Sequence, residues 1–147
     1  TALGTYGTGL PRPLLRNRQD TILMPHIGAS TAEAEENCAI MAADQIKAFL
    51  DHGNIKNAVN FPAIELERTT DSRLTVTNRN APGTLSHILN VLGDANLNVA
   101  DLLNKSRGDI AYNLIDFNTA PSAQVLDQIC AVEGVINVRY LGKPCSV

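Results

Sequence analysis

Hydrophobic and polar positions divide this chain near residue 60. Before it, Thr21-Ile22-Leu23-Met24 is one short apolar run of strand length, ended by Pro25. A longer stretch then repeats apolar residues at Cys38, Met41, Ala42, Ile46, Phe49 and Leu50. That three-and-four spacing predicts a helix over 31–51. Ser30 followed by Glu33 has the form of a capping box, and Glu35 and Glu36 place negative charge near the positive end of the helix dipole. His52-Gly53 predicts the helix end, where glycine tolerates a left-handed backbone. Ala39, Ile40 and Ala43 make the middle of this helix apolar nearly all round, so it is expected to need burial on more than one side.

Beyond residue 72 the period changes. Leu74 and Val76 alternate with Thr75 and Thr77, as in a strand. After Asn80-Ala81-Pro82-Gly83, Leu85, Ile88, Leu89 and Leu92 define one face of a helix, with Pro82 near its first turn. Strands are predicted over 97–104 and 110–117, joined by a tight turn at Ser106-Arg107-Gly108-Asp109. Arg107-Gly108-Asp109 also spells an adhesion tripeptide, which a hairpin turn explains fully. A second helix follows Pro121, with Val125, Ile129 and Val132 on one face, and Ile136, Val138 and Tyr140 alternate in a last strand. The order βαββαβ predicts an α+β, ferredoxin-like domain: a four-stranded antiparallel sheet with two helices on one face and the other face open unless something covers it. The expected organisation is an N-terminal part over 1–62, a linker over 63–72 and the sheet domain over 73–147.

Fold alone does not give function. A net charge of −3 argues against nucleic acid or an anionic membrane as partner. Arg107-Gly108 and Tyr112 faintly echo an RNA-binding strand, but the aromatic pair is missing and aromatics are 4% of the chain. Cys38, Cys130 and Cys145 are widely spaced and fit free thiols in a cytoplasmic protein, with no metal site. The informative stretch is the first loop of the sheet domain. Asn78 and Asn80 flank the exit of the first strand, Pro82-Gly83 leads into a helix tip that favours an anion, and Asn98 starts the second strand. Amide groups donate and accept, so Asn78, Asn80 and Asn98, if brought to one edge, would read an amino acid's ammonium and carboxylate together. Turn capping is the simpler job for the same residues.

Several stretches carry a resemblance. They are Met24-Pro25-His26-Ile27-Gly28-Ala29-Ser30-Thr31, Glu36 through Gln45, Gly53-Asn54-Ile55-Lys56-Asn57-Ala58-Val59-Asn60-Phe61-Pro62 and Asn104 through Asn113. Together, over roughly 21–141, they resemble the C-terminal part of the D-3-phosphoglycerate dehydrogenase family, within the D-2-hydroxyacid dehydrogenases. Asn80-Ala81-Pro82-Gly83 is similar to the loop signature of ACT domains, regulatory modules that bind amino acids. The resemblance implies that His26 matches the family's catalytic histidine, a general base. It implies that the 31–51 helix is left over from the dehydrogenase core, and that Asn78, Asn80, Pro82, Gly83 and Asn98 hold an effector such as L-serine. It also implies a homo-oligomer paired through a sheet edge and the exposed helix, with allosteric control of serine biosynthesis.

NAD is implied for the full-length enzyme and no cofactor for this chain. No Asp or Glu precedes Asp20, and Gly4, Gly7 and Gly9 lack the dinucleotide fingerprint. The chain alone is therefore expected to be inactive, and its start at Thr1 is expected of a piece of something longer. A stand-alone amino-acid-binding or assembly module is the alternative.

Overall fold

The computed structural model of the chain describes residues 19, 20, 28 and 30–142. His26, the run 21–24 and Cys145 lie outside the described residues. The chain divides into two compact units, Thr1–Cys38 and Ala39–Val147.

Helix α1 runs Ala32–His52. In the first unit, the Ala34 N–H donates to Thr31 Oγ1 at 3.2 Å. The cap is thus Thr31, one residue after the expected Ser30, because a side-chain oxygen bonded three residues ahead defines the N-cap.

The second unit has the element order β1 (Ser72–Arg79), α2 (Thr84–Asp94), β2 (Val99–Arg107), β3 (Ile110–Phe117), α3 (Ala123–Cys130) and β4 (Val135–Leu141). The strands lie in the order β2-β3-β1-β4, and every pairing is antiparallel. This is the ferredoxin-like arrangement of two interleaved βαβ halves, as expected of an ACT domain.

Alternation along the central strands divides their side chains between two faces. Leu74, Val76, Ile115 and Phe117 face Ile88 and Leu92 of α2 and Val125 and Ile129 of α3, forming one core. Thr75, Thr77, Tyr112 and Leu114 face the other way. That second face is covered within the chain. Ile55 and Ile64 pack on Tyr112 and Leu114, joined by Ala58, Phe61 and Leu66. Ile55 and Ile64 hydrogen-bond to each other through an isolated bridge, so an irregular segment supplies the cover that a strand or helix would give. Residues 63–72, read from sequence as a linker, carry the fully buried Ile64.

The C-terminal end of α1 is fastened to this face by arginines. Arg73 and Asp116 are opposite each other on β1 and β3, both at 0% exposure. Beyond its carboxylate, the Arg73 guanidinium donates to His52 O and Leu66 O, each at 2.9 Å, and to Glu67 O at 3.1 Å. Arg68 Nη1 donates to Asp51 O at 3.2 Å, and Arg139 donates to Phe49 O at 3.1 Å and to Leu50 O. The last four carbonyls of a helix lack partners within it, and positive charge there opposes the dipole favourably. Phe49 through His52 each receive an arginine donor. Gly53 then takes φ +71°, and a Cβ there would lie 2.5 Å from Thr75 Cγ2. Only glycine fits both the turn and the approach to β1.

Candidate functional site

Helix α2 begins at Thr84 with Gly83 as its N-cap, at φ 88° and with no side chain capping it. Pro82 therefore stands just before the helix and not within its first turn. The tip of α2 borders a cleft of about 360 Å³ lined by Arg79, Pro82, Thr84, His87, Glu133 and Gly134, with Ala81 at its rim. Arg79 comes from the end of β1, His87 from the first turn of α2, and Glu133 from the turn between α3 and β4. The Arg79 N–H donates to Gly134 O at 2.7 Å, which ties β1 to that turn and fixes the two walls together.

The residues lining the cleft include one arginine and one glutamate. A helix N-terminus carries partial positive charge, so the Arg79 and α2 side favours an anionic group while Glu133 favours a cationic one. His87 of α2 stands on the same wall.

The expected residues are distributed differently from the sequence expectation. Asn78 is 3% exposed and fully engaged: its Nδ2 donates to Arg79 O at 2.7 Å and its Oδ1 accepts from Asn113 Nδ2 at 2.7 Å. Asn113, on β3, accepts in turn from Asn104 on β2 and donates to Val76 O at 3.0 Å. Asn78 is thus one end of a row of three amides crossing the sheet. Asn80 is exposed beside the β2–β3 turn, where its Nδ2 donates to Gly108 O at 3.1 Å and its backbone N–H donates to Asp109 O at 2.8 Å.

Asn98 does not join them within one chain. It precedes Val99, which pairs with Phe117, which pairs with Ser72 at the start of β1. Asn80 follows the end of β1. The two are separated by the sheet's length, roughly 25 Å for eight strand residues at ~3.3 Å each. The sequence expectation of a shared edge fails because α2 runs back along the sheet before β2 begins.

Arg79, Glu133 and His87 are the cleft residues that sequence reasoning missed. Arg79 lies between Asn78 and Asn80, just ahead of the signature stretch. Glu133 lies far along the chain and carried no signal.

Among the described residues, no group of three or more His, Cys, Asp or Glu could hold a metal ion. Cys38 and Cys130 are free and exposed. No helix among them is long and apolar enough to cross a membrane.

No protein-family model matches the chain. Among solved structures it is similar to the ACT domain from GTP pyrophosphokinase of Chlorobium tepidum, at 19% identity and a TM-score of 0.40 over 48% of this chain and 95% of that one. Among curated proteins it is 34% identical over 128 residues to D-3-phosphoglycerate dehydrogenase of Haemophilus influenzae, covering 86% of this chain and 31% of that protein. The proteins of the same name from Dictyostelium discoideum and Escherichia coli K12 are 33% and 30% identical, covering 86% and 83% of this chain and 31% and 30% of their own lengths. The chain spans about a third of the length of these relatives. Over 83–86% of its length the chain is therefore a homologue of proteins named D-3-phosphoglycerate dehydrogenase, matching a part of each.

Proposed function

We propose that this chain is the C-terminal regulatory segment of a D-3-phosphoglycerate dehydrogenase, whose sheet domain binds L-serine or a similar small amino acid as a feedback signal. The supporting observation is the cleft at the tip of α2, where Arg79 and Glu133 offer opposite charges to a zwitterion. In the whole enzyme, catalysis with NAD would belong to other domains, and His26 would act there as general base.

The separation of Asn80 and Asn98 bears on assembly. β2 is an edge strand, with unpaired backbone groups along one side. Two copies joined antiparallel along β2 by a two-fold axis would bring the start of one β2 beside the end of the other. Asn98 of the second copy would then stand at the sheet end where Asn80 is held. The effector site would be completed between two protomers, and ligand there would alter how the pair is held. Such coupling is worth about 1–3 kcal/mol in regulated proteins.

Calorimetric titration with L-serine, combined with sedimentation equilibrium, tests this reading. The expected result is saturable binding by a dimer, weakened at least about tenfold in Asn98→Ala and in Glu133→Gln. A monomer that binds serine equally well, or a dimer that binds no small amino acid, overturns it.

A further inference from the structure

The second face of the sheet holds a cavity of about 440 Å³, remote from the α2 cleft in residues and in face. That volume lies within the ~300–1,000 Å³ typical of small-molecule sites. Its floor is a polar patch on two neighbouring strands: Thr75 lies opposite Arg139, and Thr77 opposite Asn137. Tyr112, opposite Thr77 on the other side, extends the floor onto β3. The covering residues are mostly apolar, with Gln45, Asn54 and Lys56 among them. Ala42, Ile46 and Phe49 come from α1, and Ala58 and Phe61 from the irregular segment after it.

The charge at this site is unbalanced. The Arg139 guanidinium stands 5.1 Å from the Phe49 ring centroid and donates to two main-chain carbonyls. Those two bonds leave three of its five N–H groups. Lys56 pairs with Glu65 and Arg73 with Asp116, and among the described residues Arg139 meets a ring and carbonyl dipoles but no carboxylate. Thr75 and Thr77, 4% and 8% exposed, set hydroxyl-bearing side chains next to it. A cation beside hydroxyls on one side and hydrocarbon on the other complements an amphipathic anion.

We propose that this cavity is a second ligand site, taking a small organic carboxylate with an apolar flank. The carboxylate would meet Arg139 and the threonine patch, and the apolar part would lie under Ile46 and against Phe61. The site is independent of amino-acid binding at α2.

The probe is 3-phenylpropionate, titrated into the full chain by calorimetry and by NMR of labelled isoleucine and threonine methyls. Saturable one-to-one binding is expected, with the Ile46 and Thr77 methyl signals shifting together. Ala42→Phe fills the cavity from an exposed helix position and should weaken binding at least about tenfold without unfolding the sheet. The uncharged 3-phenylpropanol should bind at least about tenfold more weakly than the acid. Failure to saturate, unchanged binding in Ala42→Phe, equal binding of the alcohol, or displacement of the probe by serine each overturns the proposal. Retention of serine binding in Ala42→Phe separates this site from the α2 cleft.

Discussion

Arg73 and Asp116 form a two-pronged ion pair on neighbouring central strands, Nη2 to Oδ2 at 2.8 Å and Nε to Oδ1, with neither side chain reaching solvent. The remaining three guanidinium hydrogens go to main-chain carbonyls of α1 and residues 66–67. Every donor is used. Removing a charge from water costs several kcal/mol, and only complete pairing offsets it.

Breaking one side of such a pair is therefore severe. Asp116→Ala should destabilise the chain by about 3–5 kcal/mol in urea unfolding, because Arg73 stays buried and unneutralised. The double variant Arg73→Met/Asp116→Leu should lose much less. A single Asp116→Ala within about 0.5 kcal/mol of the parent, the ordinary spread of surface substitutions, would contradict the described burial.

Gly53 offers a test of how closely α1 approaches the sheet. Gly53→Ala must hold alanine at positive φ, at a cost of roughly 1–2 kcal/mol, and must also push its methyl into Thr75 Cγ2. Thr75→Ser removes that methyl group and should recover part of the loss. A double-mutant cycle with no interaction between the two positions would show that strain alone accounts for the effect.

Tyr112 links the same face to pH. Burial raises its hydroxyl above the ordinary 10.0, outweighing the lowering by a hydrogen bond with Thr75 and by the charges of Arg139 and Arg73. The folded state thus holds this proton more tightly than the unfolded chain does. Its contribution to stability is fully present below about pH 10 and is lost as pH rises through the folded-state value. Tyr112→Phe should flatten the alkaline limb of the stability curve. At neutral pH it should cost about 1 kcal/mol, since the hydroxyl donates to Gly53 O at 2.9 Å. An alkaline limb that is unchanged in Tyr112→Phe would assign the loss to other groups.

At the α2 cleft, Arg79→Met should reduce the serine-induced rise in melting temperature while leaving the unliganded protein close to its original stability, because Arg79 is exposed. Asn78→Ala should do something different. It removes a buried amide from a bonded row and should cost about 1–3 kcal/mol without ligand. If Asn78→Ala leaves stability unchanged and abolishes the serine effect, Asn78 is a direct ligand of serine.

The sheet and its two covering helices were legible because period 2 and period 3.6 are strong signals over strands and helices of this length. Leu74 and Val76, and Ile88 and Leu92, show it. Ile55 and Ile64 show the limit. They bury the second face from an irregular segment, where no period marks which apolar residue turns inward. The candidate site was half legible. Pro82 lines the cleft, while Gly83 is the N-cap of α2. Asn98 was misplaced because nearness in sequence to α2 says nothing of direction, and eleven helical residues at ~1.5 Å each carry the chain back most of the way along β1. Glu133 reaches the cleft only through β4 pairing with β1.

The amides of Asn104, Asn113 and Asn78 all hand hydrogens the same way, from the exposed edge strand inward to the carbonyl of Arg79. Such a row is polar end to end, and no single member can flip without setting oxygen against oxygen at the next joint. It works as a latch with one closed setting. Drawing the Asn104 amide away along β2 would leave the oxygen of Asn113, a fully buried side chain, without its donor, so the edge strand cannot shift there without stranding a polar atom inside the sheet.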